Sequence, residues 1–279
     1  MSQRTSRYVI IALSALRICQ QVFPTYAHPK SPHRFTLPQL TASVLLMFHL
    51  HLSYRDMEEW LLATDGVVKA LGLKEVPDHT TLYRAYRRFR VKDLERLNRE
   101  LLKETGMEGE EGIVVDTTGF QPTQASVHYL ARSGRRYEHF IKGCYAVGIA
   151  SQLILGVVSG RGPGADSVHL ASLRAKAALY GAAQGWMLLA DRGFDGRFVG
   201  RGDLIPPIRR GGKLQRPDRV ARAELVAAAI LDGYYGQRWK VETVNSVIKR
   251  KFGDGIRSRK LNHRQREVYV KALVYNIHR

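Results

Sequence analysis

The segment YGQRWKVETVNSVIK, Tyr235 to Lys249, combines an aromatic hydroxyl, two cations and one carboxylate at regular spacing. A helix turns by about 100° per residue, so Tyr235, Arg238, Glu242 and Lys249 would project within roughly 60° of one another. The opposite side would be apolar, with Val241, Val244, Val247 and Ile248. A carboxylate among cations on one rigid face is typical of a metal-dependent site that handles a polyanion. An ordinary amphipathic helix with a solvated face has the same pattern.

Two further acids follow apolar runs, of which the first is rich in β-branched residues. In GIVVDTTGF the run ends at Asp116, and in GWMLLADRGFDG it ends at Asp191. Each run predicts a buried strand that delivers an aspartate at its end. Since the ends of neighbouring strands lie together, we expect Asp116 and Asp191 to be close, and a helix across the sheet can add Glu242.

Three converging carboxylates predict a site for divalent metal ions, because they cannot all stay ionised at low cost when partly buried. Carboxylate oxygens prefer hard cations, which favours Mg²⁺, with Mn²⁺ as a substitute. Two such ions about 3.5–4 Å apart would activate a water or hydroxyl and stabilise the leaving oxygen of a phosphodiester. Asp116, Asp191 and Glu242 are therefore the candidate catalytic residues and metal ligands.

The composition points to a polyanionic partner. The 279 residues include 44 Lys and Arg against 25 Asp and Glu, a formal net charge of +19. Such a surplus predicts attraction to nucleic acid or to an anionic membrane surface. Cys19 and Cys144, the only cysteines, have no metal-ligand spacing and suggest a reducing compartment. Residues 5–22 are interpreted as a helix rather than a signal peptide, and no run approaches the ~18 apolar residues of a membrane span, which favours a cytoplasmic protein.

The first part of the chain, to about residue 105, is predicted to be helical. Residues 37–52 are strongly apolar, and Ser53 is a plausible cap for the helix that follows. Residues 78–101 begin with Asp78 or Thr80 as a cap and form a densely basic helix. Its arginines include three candidate DNA-binding residues, Arg84, Arg87 and Arg88. Short helices before a basic helix fit a helix-turn-helix reader, and a helical bundle with a basic outer face fits equally well.

The pattern changes after residue 108, where we place a domain boundary between residues 1–108 and 109–279. The second domain is predicted to be α/β, with further strands over residues 142–151 and 152–160. Asp166 or Ser167 would cap a helix that runs to about Ala183. The remaining predicted elements are a short strand over LIPPI (204–208), a helix over residues 222–231 and a packed helix in REVYVKALVYNIHR at residues 266–279.

These motifs resemble the DDE transposases of bacterial and archaeal insertion sequences, in particular the group with a Tyr-x2-Arg-x3-Glu-x6-Lys signature. YGQRWKVETVNSVIK matches all four fixed positions, while IVVDTTGF and LADRGFDG are similar to the segments of the first and second acids. RDMEEWL, VPDHTTLYRAYRRF and YNIHR extend the resemblance over nearly the whole chain. It implies a ribonuclease-H-like mixed sheet flanked by helices, behind an all-α N-terminal domain that binds DNA or assembles subunits.

The resemblance also implies an activity and roles for residues. It implies cleavage of double-stranded DNA at element ends by water, and joining of the freed 3′-hydroxyl to target DNA, by a homodimer on paired ends. Tyr235, Arg238 and Lys249 would contact the terminal DNA. Arg192, beside the second acid, and Lys142, at a strand start, could face DNA or be solvated surface. About fifty residues separate Asp191 from Glu242, too few for the large β insertion of some relatives, so a hairpin intermediate is left open.

Two other functions remain open at this point. A repressor derived from a transposase would bind DNA without cutting it, and a structure-specific nuclease on the same scaffold would cut without joining. All three acids and all four signature residues are present, which favours the transposase. The sequences of the element ends and of the target depend on base contacts that no spacing reveals.

Overall fold

The computed structural model describes residues 5–30, 32–106, 110–123, 132, 140–180, 185–209 and 211–279. The chain divides into two compact units. Unit 1 comprises residues 1–106, 251–253 and 269–279, and unit 2 comprises residues 107–250 and 254–268. The boundary predicted between residues 108 and 109 lies outside the described residues.

Unit 1 is built from helices in the described part of its N-terminal segment, as the sequence predicts. The helices are α1 (Arg7–Val22), α2 (Leu37–His49), α3 (Tyr54–Leu62), α4 (Asp65–Ala70), α5 (His79–Arg88) and α6 (Val91–Thr105). The predicted basic helix over residues 78–101 is thus two helices, since Phe89 and Arg90 have extended backbone between α5 and α6. The core lies between apolar faces such as those of α1 and α2.

Capping side chains fix where these helices begin. Thr36 and Ser53 each form a capping box, in which the cap hydroxyl accepts from a backbone N–H one turn on. Asp78 caps α5 by accepting from the backbone N–H groups of Thr80 and Thr81 at 2.8 and 2.9 Å. These hydrogen bonds, with those from the two threonine hydroxyls, hold the pKa of Asp78 well below its usual range. The predicted caps Ser53 and Asp78 are confirmed.

Two histidines in unit 1 are expected to make the folded protein less stable in acid. His49 Nε2 lies 3.2 Å from His278 Nδ1, and burial, aided by cations including Arg7 and Lys251, lowers the pKa of each to about 4. In the unfolded chain these imidazoles accept protons near pH 6.5. The stability that the two neutral histidines contribute is therefore fully present above pH 6.5 and is lost as the pH falls towards 4. We expect His49 alone to account for about 2 kcal/mol, measured by urea unfolding between pH 7.5 and 4.5. Arg279 also faces His278.

A matched pair of variants isolates this effect. His49→Phe keeps an aromatic ring in the buried position and should flatten the pH dependence, whereas His28→Gln, at an exposed loop position, should leave it unchanged. An equal slope in wild type and His49→Phe would show that other groups control acid unfolding.

Unit 2 contains a mixed sheet with strand order β3-β2-β1-β4 and a short β5 beside the end of β1. The strands are β1 (Gly112–Pro122), β2 (Ile141–Gly148), β3 (Ile154–Arg161), β4 (Met187–Ala190) and β5 (Gly255–Ile256). β1 pairs antiparallel with β2 and parallel with β4. The predicted α/β class, a mixed sheet with helices around it, is confirmed.

The helices described in unit 2 are α7 (Leu170–Ala178), α8 (Pro217–Leu231), α9 (Trp239–Phe252) and α10 (Leu261–His278). The ends of α9 and α10 belong to unit 1. Short 3₁₀ helices cover Asp166–His169, Arg192–Phe194 and Tyr234–Arg238. In α9, Val241, Val244 and Ile248 are fully buried, which confirms most of its predicted apolar side; Val247 is half-buried.

Several predicted elements differ in detail. β1 continues to Pro122, so Asp116 lies within the strand rather than at its end, because β2 and β5 supply partners beyond it. LIPPI is not a strand: Leu204 makes an isolated bridge with Leu189, and the two prolines have no N–H to donate. Helix α7 ends at Ala178 rather than near residue 183, and α8 begins at Pro217, where a proline is well tolerated.

No helix among the described residues has the length and apolar character to cross a bilayer.

Candidate active site

The register of two parallel strands brings the first two acids to the same level of the sheet. Val115 on β1 pairs with Ala190 on β4, and Asp116 and Asp191 are the next residue on each strand. Adjacent strands lie about 4.8 Å apart, so both backbones deliver an aspartate at one place. Asp191 then leaves the sheet and caps a 3₁₀ turn, accepting from the backbone N–H of Gly193 at 2.8 Å.

The carboxyl group of Asp116 has a perturbed pKa. Burial, together with the charges of Asp191 and Glu242, raises this pKa to about 6, although a hydrogen bond from the backbone N–H of Thr117 and the charge of Arg238 act in the opposite direction. Asp191 and Glu242 are thus both near enough to act on the charge of Asp116. A half-buried acid with like charges nearby is a characteristic environment of a cation site.

The predicted single helix from Tyr235 to Lys249 is a 3₁₀ helix followed by α9. Gly233, in the left-handed region at φ 82°, precedes the 3₁₀ turn that carries Tyr235 and Arg238. The hydroxyl of Tyr235 donates to the carbonyl of Ala190 at 3.0 Å, beside Asp191. Tyr235 therefore binds the end of β4, next to the second acid. Burial raises the pKa of the Tyr235 hydroxyl.

Glu242, in the first turn of α9, is bound to a cation of its own segment. Arg238 donates to Glu242 Oε1 at 2.9 Å, and the Glu242 side chain is 54 % exposed. Among the residues that the structure describes, no three acidic, histidine or cysteine side chains converge as a metal-binding group. The expected three-carboxylate cluster is accordingly not formed: Asp116 and Asp191 share one level of the sheet, whereas Glu242 points to Arg238.

Asn245 is a site residue that the sequence reasoning missed. It lies one turn after Glu242 and is buried, and its Nδ2 donates to Asp116 Oδ2 at 2.9 Å. Its Oδ1 is also buried and makes no hydrogen bond within the described ranges. Asn245 lies three residues after Glu242, which places both residues on the same helix face. An asparagine carries no charge, so its side chain did not indicate a site residue. Asn245 orients the first acid and leaves an acceptor oxygen beside it.

The donor set fits a hard divalent cation. Asp116, Asp191 and Glu242 offer carboxylate oxygens, and the unpaired Oδ1 of Asn245 adds a neutral one. Burial disfavours the charged form of Asp116 and raises its pKa, and a bound cation would offset that cost.

The predicted DNA contacts have different environments. Lys249 is half-buried, with its ammonium 5.9 Å from the centre of the Phe120 ring, and Arg192 is exposed next to the second acid. Lys142 differs from both, because its side chain is only 8 % exposed and is held by Asp166 at 2.6 Å and by the carbonyl of Gly164. Its charge is thus already paired inside the protein, which disfavours the DNA contact that stays a prediction for this residue.

In unit 1, the predicted basic residues lie on the exposed side of α5. Arg84, Arg87 and Arg88 are all exposed, whereas Leu82, Ala85 and Tyr86 are buried. Arg87 lies over the ring of Tyr83, 5.7 Å from its centre. This arrangement gives α5 an apolar inner side and a basic outer side.

A second ionic cluster anchors the loop that follows Asp191. The Asp195 side chain, 3 % exposed, is bound by Arg219 and Arg222 of α8 at 2.5 Å each and accepts from the backbone N–H of Ile208 at 2.7 Å. No signal in the sequence predicted this cluster, because these residues are scattered through a basic, proline-rich segment. The cluster connects α8 to the turn that carries the second acid.

The site thus has two aspartates at one level of a mixed sheet and a glutamate in the first turn of α9. The sequence profile of the family described as Transposase DDE domain matches residues 107–277, and the chain belongs to this family. No curated protein matches the sequence significantly, so the family profile alone carries the assignment.

Proposed function

We propose that the protein is an insertion-sequence transposase of the group with the Tyr-x2-Arg-x3-Glu-x6-Lys signature. Its second domain, residues 109–279, would be a ribonuclease-H-like catalytic domain, and residues 1–108 would bind DNA or assemble subunits. The observation that carries the proposal is the shared level of Asp116 and Asp191 on parallel strands, together with the raised pKa of Asp116. A homodimer acting on paired ends, in the cytoplasm and in association with the nucleoid, belongs to the same proposal.

Asp116, Asp191 and Glu242 would hold two Mg²⁺ ions, with Mn²⁺ as a substitute. When bound, such ions supply activation of the attacking hydroxyl and stabilisation of the leaving oxygen of a phosphodiester. To join this site, Glu242 must first break its ion pair with Arg238. Because the pair is exposed, breaking it costs about 0–1 kcal/mol, so this step is energetically easy.

The surrounding residues would position the substrate and the acids. Asn245 holds the Asp116 carboxylate by its amide, and Tyr235 fixes the backbone beside Asp191. Arg238, once released from Glu242, could pair with a phosphate oxygen. In the first step water attacks the phosphorus and the 3′-oxygen leaves. In the second step the freed 3′-hydroxyl attacks a phosphorus of the target strand, and the 3′-oxygen on the other side of that phosphorus leaves.

One incubation separates the candidate functions. The purified protein is incubated with Mg²⁺, a duplex that carries the end of the element and a target plasmid, and the products are resolved on a denaturing gel. We expect cleaved ends and strand-transfer products. Binding without cleavage would indicate a repressor, and cleavage without joining would indicate a nuclease. The inverted repeats that flank the gene supply the duplex.

Lys249 is expected to contribute a phosphate contact. It lies seven residues beyond Glu242, or roughly 10 Å along the helix, so it would bind the backbone away from the acids. Lys249→Ala should weaken end binding and reduce the slope of log affinity against log salt by about one, because one counterion fewer is released. Titrations at several salt concentrations measure the slope. Lys69→Ala, an exposed lysine on α4, is the control; an unchanged slope in Lys249→Ala would remove this contact.

A further inference from the structure

Unit 1 contains a cavity of about 260 Å³ between α5 and the loop that connects α1 to α2. We name it the α5 cleft, and its walls include Tyr26, His33, Phe35, Leu40, Ala85 and the side chains of Arg84 and Arg88. Pockets that take drug-sized ligands measure about 300–1,000 Å³. The α5 cleft is therefore of a size for one small group rather than for a larger molecule.

One wall of the α5 cleft is a stacked aromatic pair. The rings of Tyr26 and His33 lie 4.0 Å apart between centroids, with 16° between their planes. His33 has a φ of 49°, in the left-handed region that residues other than glycine seldom adopt. Such a backbone conformation persists only where the surroundings enforce it, and it is common at binding sites. The pair provides a flat surface of the kind on which nucleobases stack.

The other side of the α5 cleft carries charge that is available to a ligand. Arg84 and Arg88 lie one helical turn apart on α5 and are both exposed, and neither forms an ion pair with any residue that the structure describes. Arg34, also at the cleft, is different, because its guanidinium is bound by both carboxylate oxygens of Glu75. Two guanidinium groups beside an apolar recess match an anion attached to a flat apolar group.

We propose that the α5 cleft binds a single unstacked nucleotide of a DNA strand, with its base against Tyr26 and its phosphate on Arg84 and Arg88. Duplex recognition by a helix in a groove would use the exposed side of α5 and would need no recess. A free phosphate would need the arginines but no aromatic wall. A nucleotide would use both the aromatic wall and the two arginines. The proposal requires no divalent metal and does not depend on the chemistry of the catalytic domain.

The test uses the full-length protein in EDTA and a short single-stranded oligonucleotide with 2-aminopurine at its centre. Stacking on Tyr26 should quench the fluorescence of the 2-aminopurine, and dAMP should compete. Arg84→Gln and Arg88→Gln should each weaken binding about fivefold or more, whereas Arg55→Gln, an exposed arginine on α3, should change it less than twofold. Tyr26→Ala should abolish the quenching, and Tyr26→Phe should retain it. Circular dichroism checks that each variant is folded.

Four results would overturn the proposal. Equal weakening in Arg55→Gln would show general attraction to a basic surface. Equal affinity for an oligonucleotide with an abasic centre, or full competition by inorganic phosphate, would show a phosphate site without a base. Unchanged binding in Tyr26→Ala would exclude stacking in the α5 cleft. Cleavage of element ends in Mg²⁺ is measured in a separate assay. If the α5 cleft does not bind a nucleotide, the proposed transposase function is unaffected. If cleavage is absent but 2-aminopurine binding is retained, only the proposed transposase function is contradicted.

Discussion

Replacing any one of the three acids by its amide should abolish DNA cleavage while leaving end binding within a few fold. Asp116→Asn, Asp191→Asn and Glu242→Gln each remove one negative charge from the expected metal site. The loss of one group that stabilises the transition state lowers rates by 10²–10³, and the loss of a metal ligand costs more, so we expect about a thousandfold or greater loss. Cleavage is followed on end-labelled duplex, and binding is measured by gel shift in EDTA.

The matched control is Glu224→Gln, which removes the same charge from an exposed position on α8. It should cleave at the wild-type rate. Full activity in Glu242→Gln would falsify the assignment of that residue. Such a result would be informative because Glu242 contacts Arg238 rather than the other acids in this structure.

The same variants should separate function from stability. Burial and two neighbouring carboxylates raise the pKa of Asp116 to about 6, so its charge opposes folding at pH 7 when no cation is bound. Asp116→Asn should therefore be more stable than wild type in EDTA, by on the order of 1–3 kcal/mol. Asn245 can still donate to the new amide oxygen. A less stable Asp116→Asn protein would show that the carboxylate is structural.

Asp195→Ala should be the most destabilising of the single changes considered. The substitution leaves Arg219 and Arg222 without their shared carboxylate, and the Arg222 side chain is only 8 % exposed. Removing one partner of a buried ion pair costs about 3–5 kcal/mol, because the remaining charge stays desolvated. Urea unfolding at pH 7 measures the loss. End cleavage should fall as well, because the turn after Asp191 loses its anchor to α8.

Two further variants show whether the charge is the cause. Asp218→Ala breaks the Arg216–Asp218 pair, in which both side chains are more than half exposed, and should cost no more than about 1 kcal/mol. Adding Arg222→Leu to Asp195→Ala removes one of the stranded cations and should recover part of the lost stability. If the double variant is as unstable as the single one, packing around Asp195 rather than charge would explain the loss.

Local signals predicted much of the fold. A β-branched apolar run identified β1 and a second apolar run identified β4. The caps Ser53 and Asp78 marked where α3 and α5 begin. These features depend on near neighbours in the chain, so they can be interpreted from spacing alone. Where a prediction was wrong, a distant partner was responsible: β1 continues past Asp116 because β2 and β5 pair with it.

The candidate site shows the same division between local and distant effects. The sequence predicted its charged members, since Asp116, Asp191 and Glu242 each stand out against an apolar or basic background. It did not predict Asn245, whose neutral amide gains significance only through its contact with Asp116. It also could not show that Lys142 is paired with Asp166, because 24 residues separate them in the chain.

The sequence by itself predicted which residues would carry the chemistry, because residue type, spacing and strand-forming runs are local properties. The tertiary structure alone decided how they meet. It placed Asp116 and Asp191 at one level through the parallel register of β1 and β4, turned Glu242 towards Arg238 and buried the charge of Lys142. Register, burial and ion pairing depend on groups far apart in the chain, and chain folding alone brings such groups together.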